Sequence, residues 1–424
     1  MDRIILHSDL NNFYATAEMT RDASLRGLPI AVAGDTEARH GIVLAKSYEA
    51  KRFGVQTGDT LWQAKLKCPD IRFVPPDFEL YCRLASKVRA IYHRYTDMVE
   101  SFGMDECWLD VTGSQKLFAR DSTSESEAGL MIANEIRERV KSETGLTVSV
   151  GVSFNKIFAK LGSDMKKPNA VTLISRENFK DVVWRLPVRE LLLVGGKTER
   201  KLTMYGIDTI GKLATADEKL LTLLLGKRGR DLQMTARGLD SSPVLRREEL
   251  PRVKSVSNGT TTYKDLSTDD EIKAVLYFLC ESVSSRLREQ HLLCRTVQLG
   301  IREFDLYTFE RQGQLSAPSR TAEDLFAKAY SLLKLHRRGD RPIRSLTVRA
   351  TSLSDDIGSQ LTMFPETEPL GKREELESCV DGLRRRYGSG ILKRGIIMWD
   401  PALSGGDFGI DREETWAVAD SRLT

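Results

Sequence analysis

Residues 100 to 113 read ESFGMDECWLDVTG, and the fold turns on how that stretch is read. Asp105 and Glu106 are adjacent carboxylates in an apolar setting of Phe102, Met104, Trp108, Leu109 and Val111. The run has strand character and ends in Thr112-Gly113, a turn signal. Neighbouring side chains on a strand point to opposite faces, so the two acids diverge unless the backbone bends at a strand end. A carboxylate in apolar surroundings is costly unless a positive group meets it, and a divalent cation is one such group. The plain alternative is a surface turn with two solvated acids, since Asp and Glu are mostly exposed.

Residues 3 to 18, RIILHSDLNNFYATAE, weigh against that alternative. Ile4, Ile5 and Leu6 form a short apolar run that predicts a buried strand, and Asp9 sits where it ends. Helical spacing follows from Asn12, with Phe13, Ala17 and Met19 apolar. Asp9 is then either a helix N-cap or a third oxygen ligand converging with Asp105 and Glu106. Three carboxylates suit hard cations such as Mg²⁺, which prefers oxygen and is often shared with substrate phosphates.

These two stretches do not stand alone. KSYEAKRFGV runs from Lys46 to Val55, and SVGVSFNKIFAKLGSDMKKPNA runs from Ser149 to Ala170. In this order and spacing the four motifs resemble the Y-family (translesion) DNA polymerases, most closely the bacterial polymerase IV branch. The resemblance runs nearly end to end and weakens after Phe364.

Composition is compatible with that reading without demonstrating it. At 424 residues the chain is too long for one compact core, so several domains are expected. Charged residues are 29% and hydrophobic ones 41%, as in globular proteins. No apolar run is long enough for a membrane span and no secretory leader is visible, so the cytoplasm is the default expectation. The net charge of +4 permits nucleic-acid binding. Arg237 to Arg349 carries an excess of roughly five positive charges, which concentrates basic character there. Cys68, Cys82, Cys107, Cys280, Cys294 and Cys379 are scattered with no Cys-x-x-Cys, so neither a zinc site nor a disulfide framework is expected. Cys107 reads as a small buried residue rather than a nucleophile.

The resemblance implies an α+β, multidomain right-hand polymerase. It implies a ferredoxin-like palm over 1–12 and 76–166, small fingers over 13–75 and a helical thumb over 167–236. A linker over 237–250, an α/β little-finger domain over 251–353 and a C-terminal tail over 354–424 would follow. The residues agree where they can be read. Phe78 to Met98, Ser124 to Thr144 and Asn155 to Lys167 have helical spacing, and Leu146 to Val152 alternates as a strand. Glu271 to Arg288 and Ala322 to Leu335 read as helices, and Thr296 to Ile301 and Arg344 to Ala350 as strands. Glu374 to Tyr387 reads as a helix within an otherwise poorly ordered tail.

It also implies residue roles. Asp9, Asp105, Glu106 and the Leu10 carbonyl would hold two Mg²⁺ ions. Phe13, Tyr14, Tyr48, Lys51 and Lys167 would form the nucleotide site. Tyr14 would be the steric gate that clashes with a ribose 2′-OH. Tyr48, Lys51 and Lys167 would hold the triphosphate of a deoxynucleotide. Three departures are visible. Asn11 replaces a usual Asp that is not a metal ligand. Lys51 replaces a usual Arg, keeping the charge but losing bidentate geometry. Ala45 replaces a small hydroxyl residue, which removes one phosphate hydrogen bond. Gly195, Gly196 and Lys197 would form a helix-hairpin-helix turn offering backbone N–H groups to a DNA phosphate. Arg252, Lys254, Arg295 and Arg302 would touch primer-template DNA through phosphates. Gln360, Leu361, Met363 and Phe364 resemble a bacterial sliding-clamp-binding peptide, whose apolar side chains would seat in pockets. The protein would act as a monomer.

The function implied is template-directed, low-fidelity DNA synthesis past damaged bases, by two-metal nucleotidyl transfer and without proofreading. Two other classes compete. A non-catalytic DNA- or clamp-binding relative would tolerate Lys51 and Ala45. A metal-dependent nuclease would use three carboxylates but has no use for a steric gate or a triphosphate lysine.

Overall fold

The computed structural model describes residues 2–34, 41–355, 368–388, 390–398, 400 and 403. The chain divides into two compact units, residues 1–32 with 43–251 and residues 33–42 with 252–424.

The first unit begins with β1 (Ile5–Leu10), buried along its whole length, and α1 (Phe13–Arg21). The N-cap of α1 is Asn12, while Asp9 lies inside β1. The capping alternative for Asp9 is thereby removed. β2 (Ile30–Ala33), β3 (Val43–Lys46), α2 (Tyr48–Arg52), α3 (Leu61–Lys67) and β4 (Arg72–Val74) follow. These strands form a small sheet in the order β3-β2-β4 over Val43, Ala50, Val55 and Ala64. Ser47 caps α2, its Oγ accepting from the Ala50 N–H at 3.2 Å.

α4 (Phe78–Tyr92) buries Leu80, Leu84, Val88, Ile91 and Tyr92, as its spacing predicts. It stops short of Met98 because Thr96 turns the chain. The Thr96 hydroxyl donates to the Asp110 carbonyl at 2.7 Å and accepts from the Met98 N–H at 3.1 Å. β5 (Val99–Ser101), β6 (Glu106–Asp110), α5 (Gln115–Phe118), α6 (Glu125–Thr144), β7 (Val148–Ser153), α7 (Lys156–Met165) and β8 (Val171–Ile174) complete the region. The five-stranded sheet has the order β5-β6-β1-β7-β8, with β1 antiparallel to both β6 and β7. With the insert between β1 and α4 set aside, β1-α4-β5-β6-α6-β7 is the βαββαβ order of a ferredoxin-like palm.

Strand alternation sorts the two faces of this sheet. Ile4, Leu6, Leu109 and Val150 join the core under α4 and α6. Ile5 and Trp108 pack on the other face with Ala159 of α7. Gly151 allows α7 to lie that close. A Cβ there would sit 1.9 Å from the Ala159 carbonyl oxygen and 2.6 Å from the Ser163 nitrogen.

α8 (Phe179–Val183), α9 (Gly196–Thr203), α10 (Ile210–Thr215), α11 (Glu218–Leu225) and α12 (Lys227–Ala236) surround a core that includes Phe158, Val183, Leu202, Leu213 and Leu232. The segment read as a linker begins anchored to this unit. Val244 is fully buried, and Arg3 donates to the Ser242 carbonyl at 2.8 Å. Glu100 accepts from Lys156 Nζ at 2.7 Å and from the Leu245 N–H at 2.8 Å.

The second unit runs β9 (Ser255–Leu266), α13 (Asp269–Glu289), β10 (Leu292–Glu303), β11 (Thr308–Ser319), α14 (Ala322–His336) and β12 (Ile343–Asp355). Its sheet is antiparallel in the order β11-β10-β12-β9. Val297, Leu299, Ile301, Leu346 and Val348 face α13 and α14. Beyond the strands, α15 (Glu368–Tyr387) and α16 (Gly395–Met398) fold back onto α13. Ile397 and Leu403 enter the same core. Residues expected in a tail therefore form part of this unit's packing. Ion pairs hold α15 and the turn after it: Arg288 pairs with Glu377 and with Asp381, and Arg384 and Arg394 pair with Glu281. Hydrophobic periodicity does not register such contacts. Gln360, Leu361, Met363 and Phe364 lie outside the described residues. Among the described residues no helix is long and apolar enough to cross a membrane.

Candidate active site

Asp9 and Glu106 are direct cross-strand partners on β1 and β6. The same alternation that points Ile5 and Trp108 at α7 points Asp9 and Glu106 to that side. Asp105 lies one residue before β6, where a regular strand would send it away. The chain bends there instead. Gly103 has φ +92°, a value that favours glycine, and its Cα direction opens onto Asp105 Oδ1 at 3.6 Å from an ideal Cβ. The Asp105 carbonyl accepts from the Leu10 N–H at 3.0 Å, which ties the bend to the end of β1.

Asp105 and Asp9 both feel Glu106. Burial pushes the Asp105 carboxyl up to about 7, with Glu106 and then Asp9 adding to the rise. Burial also raises Asp9, with Glu106 next, against the opposing pull of Lys167 and Lys160. Like charges this close in a poorly hydrated place disfavour joint ionisation.

Two lysines answer that charge. Lys160 Nζ lies 2.9 Å from Glu106 Oε2 and 3.4 Å from Asp9 Oδ2. Lys167 Nζ lies 2.8 Å from Asp9 Oδ2. Asp164 holds both, at 3.1 Å from Lys160 and 3.0 Å from Lys167. Burial alone would lower the Lys160 pKa, but Glu106, Asp164 and Asp9 outweigh it and raise the value. His7 sits behind Glu106 and is held well below its ordinary pKa by burial first and Lys160 second. Ser163 Oγ donates to the Lys160 carbonyl, so it accepts from His7 Nδ1–H at 2.8 Å. The bare Nε2 of the neutral imidazole then faces Glu106 Oε2 at 3.3 Å, with no hydrogen-bond partner.

This donor set fits hard cations. It offers carboxylate oxygens from Asp9 on β1, from Glu106 on β6 and from Asp105 just before β6. Among the described residues no group of three or more His, Cys, Asp or Glu side chains is placed so that it could hold a metal ion as it stands. Lysine ammonium groups stand between the carboxylates instead.

The expected nucleotide residues divide. Tyr14 is half-buried and stacks on Tyr81 at 4.3 Å and 10°. Tyr81 is fixed in turn by donating to buried Glu18 at 2.6 Å. Burial pushes the Tyr14 hydroxyl up to about 12, and the next cause is Asp105, so the ring lies beside the acids. Phe13 is a core residue at 3% exposure, which leaves only its main chain for a ligand. Tyr48, at the start of α2, is raised by burial and senses Lys167 and Asp9. Lys51 Nζ lies 5.9 Å over the Tyr48 ring. Gly195 and Gly196 open α9 with free space where a Cβ would stand, and exposed Lys197 follows. Arg252, Lys254, Arg295 and Arg302 are exposed in the second unit, with Arg252 paired to Asp355 at 2.7 Å.

Reading the sequence missed His7, Lys46, Lys160 and Asp164. Lys46 is half-buried, and its pKa is lowered by burial and then by Lys51, so it belongs to the same basic group. Asn11 Nδ2 donates to Ser149 Oγ at 3.0 Å, and its Oδ1 accepts from the Asn169 N–H at 2.8 Å. The residue that departs from the family pattern therefore ties β1 to the segment carrying Lys167.

Comparison with known proteins gives the family. Residues 8–164 match the impB/mucB/samB family, and residues 253–363 match the impB/mucB/samB family C-terminal domain. DNA polymerase IV of Acetivibrio thermocellus is 46% identical over 406 residues, spanning 95% of this chain and 100% of that protein. DNA polymerase IV 1 of Bacillus subtilis is 37% identical over 398 residues, spanning 93% of each. The solved structure of a Y-family DNA polymerase chimera, Dbh-Dpo4(243-245)-Dbh, shares the fold, with a TM-score of 0.73, 21% identity, and coverage of 83% of this chain and 99% of that one. Both family models match in order, and the similarity to these relatives runs nearly the whole length, so this chain belongs to the impB/mucB/samB family of Y-family DNA polymerases, on the polymerase IV branch.

Proposed function

We propose that this protein extends a DNA primer along a template, past damaged bases, at low fidelity and without proofreading. It is a DNA-directed DNA polymerase by family. The observation that carries the residue assignment is the cross-strand pairing of Asp9 with Glu106, with Asp105 brought alongside by the bend at Gly103. Asp9, Asp105 and Glu106, with the Leu10 carbonyl, would hold two Mg²⁺ ions. Bound there, they supply activation of the primer 3′-OH and neutralisation of charge on the pyrophosphate leaving group.

The protein's own side chains bind and orient. Lys167, Tyr48 and Lys51, joined by Lys46, cradle the triphosphate. Tyr14, braced by Tyr81, excludes a ribose 2′-OH. Gly195, Gly196 and Lys197 hold a DNA phosphate, and Arg252, Lys254, Arg295 and Arg302 contact the duplex backbone. The 360–364 peptide binds the bacterial sliding clamp, and the monomeric enzyme works in the cytoplasm.

A labelled primer on a longer template, incubated with Mg²⁺ and four deoxynucleotides, tests the reading. Extension is expected. Shortening of the primer would make the protein a nuclease, and an unchanged primer would make it a binding protein. For the peptide, Leu361→Ala with Phe364→Ala is expected to weaken clamp binding in a titration; equal binding would remove it from that role.

A further inference from the structure

Lys160 has no task in the polymerase chemistry as described so far, yet it occupies the centre of the site. Its side chain is only 13% exposed, and its ammonium contacts Glu106, Asp9 and Asp164. The stretch of α7 that carries it is seated against β7 at Gly151, which keeps its stem among these acids. Asp164, one helical turn on, is 41% exposed and binds Lys160 and Lys167 together. Lys160 thus lies between two sets of acids. One set, Asp9 and Glu106, comprises expected metal ligands, and the other, Asp164, does not.

We propose that Lys160 is the resident counter-cation of the metal site: it neutralises Asp9 and Glu106 before a divalent ion arrives and withdraws onto Asp164 when one binds. The inference rests on the metal assignment made above. Two carboxylates facing each other across paired strands repel, and in a poorly hydrated site the repulsion is large. The ammonium offsets it and keeps the site assembled. The same ammonium competes with an incoming cation, so the Lys160–Asp164 pair sets the divalent-ion affinity. A lysine suits this role, being a compact charge on a flexible stem that can change partners.

Opposite signs for two substitutions distinguish this role from a merely structural one. Lys160→Met removes the competitor and should tighten Mn²⁺ binding by about tenfold or more. It should also lower the melting temperature in chelator, with recovery on adding Mn²⁺. Asp164→Asn removes the place of retreat and should weaken Mn²⁺ binding several-fold. Lys160→Arg keeps the charge and should bind within about threefold of the parent. The full chain, without DNA, is titrated with Mn²⁺ while free ion is read by electron paramagnetic resonance. If Lys160→Met does not fold, Lys160→Gln is put through the same titration.

A Lys160→Met protein that binds Mn²⁺ no more tightly than the parent overturns the proposal. So does weakening by Lys160→Met and Asp164→Asn alike, which is what loss of structure alone would give. Asp9→Ala separates the two levels. If it weakens Mn²⁺ binding while Lys160→Met fails to tighten it, the proposal alone falls. If Asp9→Ala changes nothing, the metal assignment falls with it.

Discussion

Each unit of this protein packs together a cluster of opposite charges, and the two clusters use different cations. In the first unit Lys160 and Lys167 stand among Asp9, Asp105, Glu106 and Asp164. In the second, Arg288, Arg384 and Arg394 stand among Glu281, Glu377 and Asp381. An ammonium is a mobile point charge, whereas a guanidinium fork fixes its partners in geometry. Main-chain groups reinforce the second cluster. Glu377 accepts from the Ala322 N–H at 3.0 Å, and Arg384 donates to the Leu392 carbonyl at 2.7 Å. The first cluster has four carboxylates to two lysines, and Asp105 is pushed up to about 7. The second is a lock for α15. The first is a site with acid to spare.

That contrast can be broken at either end. Asp105→Ala should lower nucleotide incorporation by at least about a thousandfold, by analogy with removing a group that acts only in the transition state, while template binding stays near the parent's. A variant extending primers at the parent's rate would remove Asp105 from the site. Glu377→Ala removes one of the two carboxylates that hold Arg288, leaving Asp381, and should cost about 1–3 kcal/mol in urea unfolding of the second unit. A loss under about 1 kcal/mol would put this pair in the class of surface ion pairs, not a lock. Tyr14→Ala should relax ribonucleotide rejection by roughly 10–100-fold in single-nucleotide insertion, the range for losing one steric discriminator.

Smaller effects sharpen the comparison. The folded protein keeps a proton on Asp105 up to about 7, whereas an unfolded Asp releases it near ~4. The folded state therefore binds the extra proton between those values, and metal-free stability should fall as pH rises through that window and level off above it. Asp105→Asn should flatten this fall and stabilise the chelated protein at pH 7 on the order of 1–3 kcal/mol. Melting curves in chelator across that range check the sign; a steeper fall in the variant would refute it. Lys51→Arg, which restores a bidentate fork, should lower the KM for deoxynucleotides about threefold.

Much of the first unit was legible in the sequence because its signals are local. Ile4-Ile5-Leu6 announces β1, and the helices read from Ser124 and from Asn155 begin where the structure caps them. The convergence of Asp9 with Glu106 was not local. It needed a strand register, which short apolar runs do not specify. Asp105 needed the bend at Gly103, and a lone glycine in a strand-like run gives only a hint of one. Lys160 and Asp164 were visible as charges one helical turn apart, a pattern that ordinarily marks a solvated face. Only the packing of Gly151 against α7 turns that face inward. In the second unit, β11 (Thr308–Ser319) was missed because its exposed side chains leave little apolar alternation. The docking of α15 was missed because arginine-carboxylate contacts carry no hydrophobic period.

Three acids, one from β1 and two from the start of β6, are proposed to share divalent ions at the end of a primer. Anomalous diffraction from Mn²⁺, in crystals with primer-template and a non-hydrolysable incoming nucleotide, tests it most directly. Mn²⁺ is expected to be bonded to Asp9, Asp105 and Glu106, with Lys160 moved onto Asp164. Mn²⁺ found elsewhere, with Asp9 still held by Lys160 and Lys167, would contradict it.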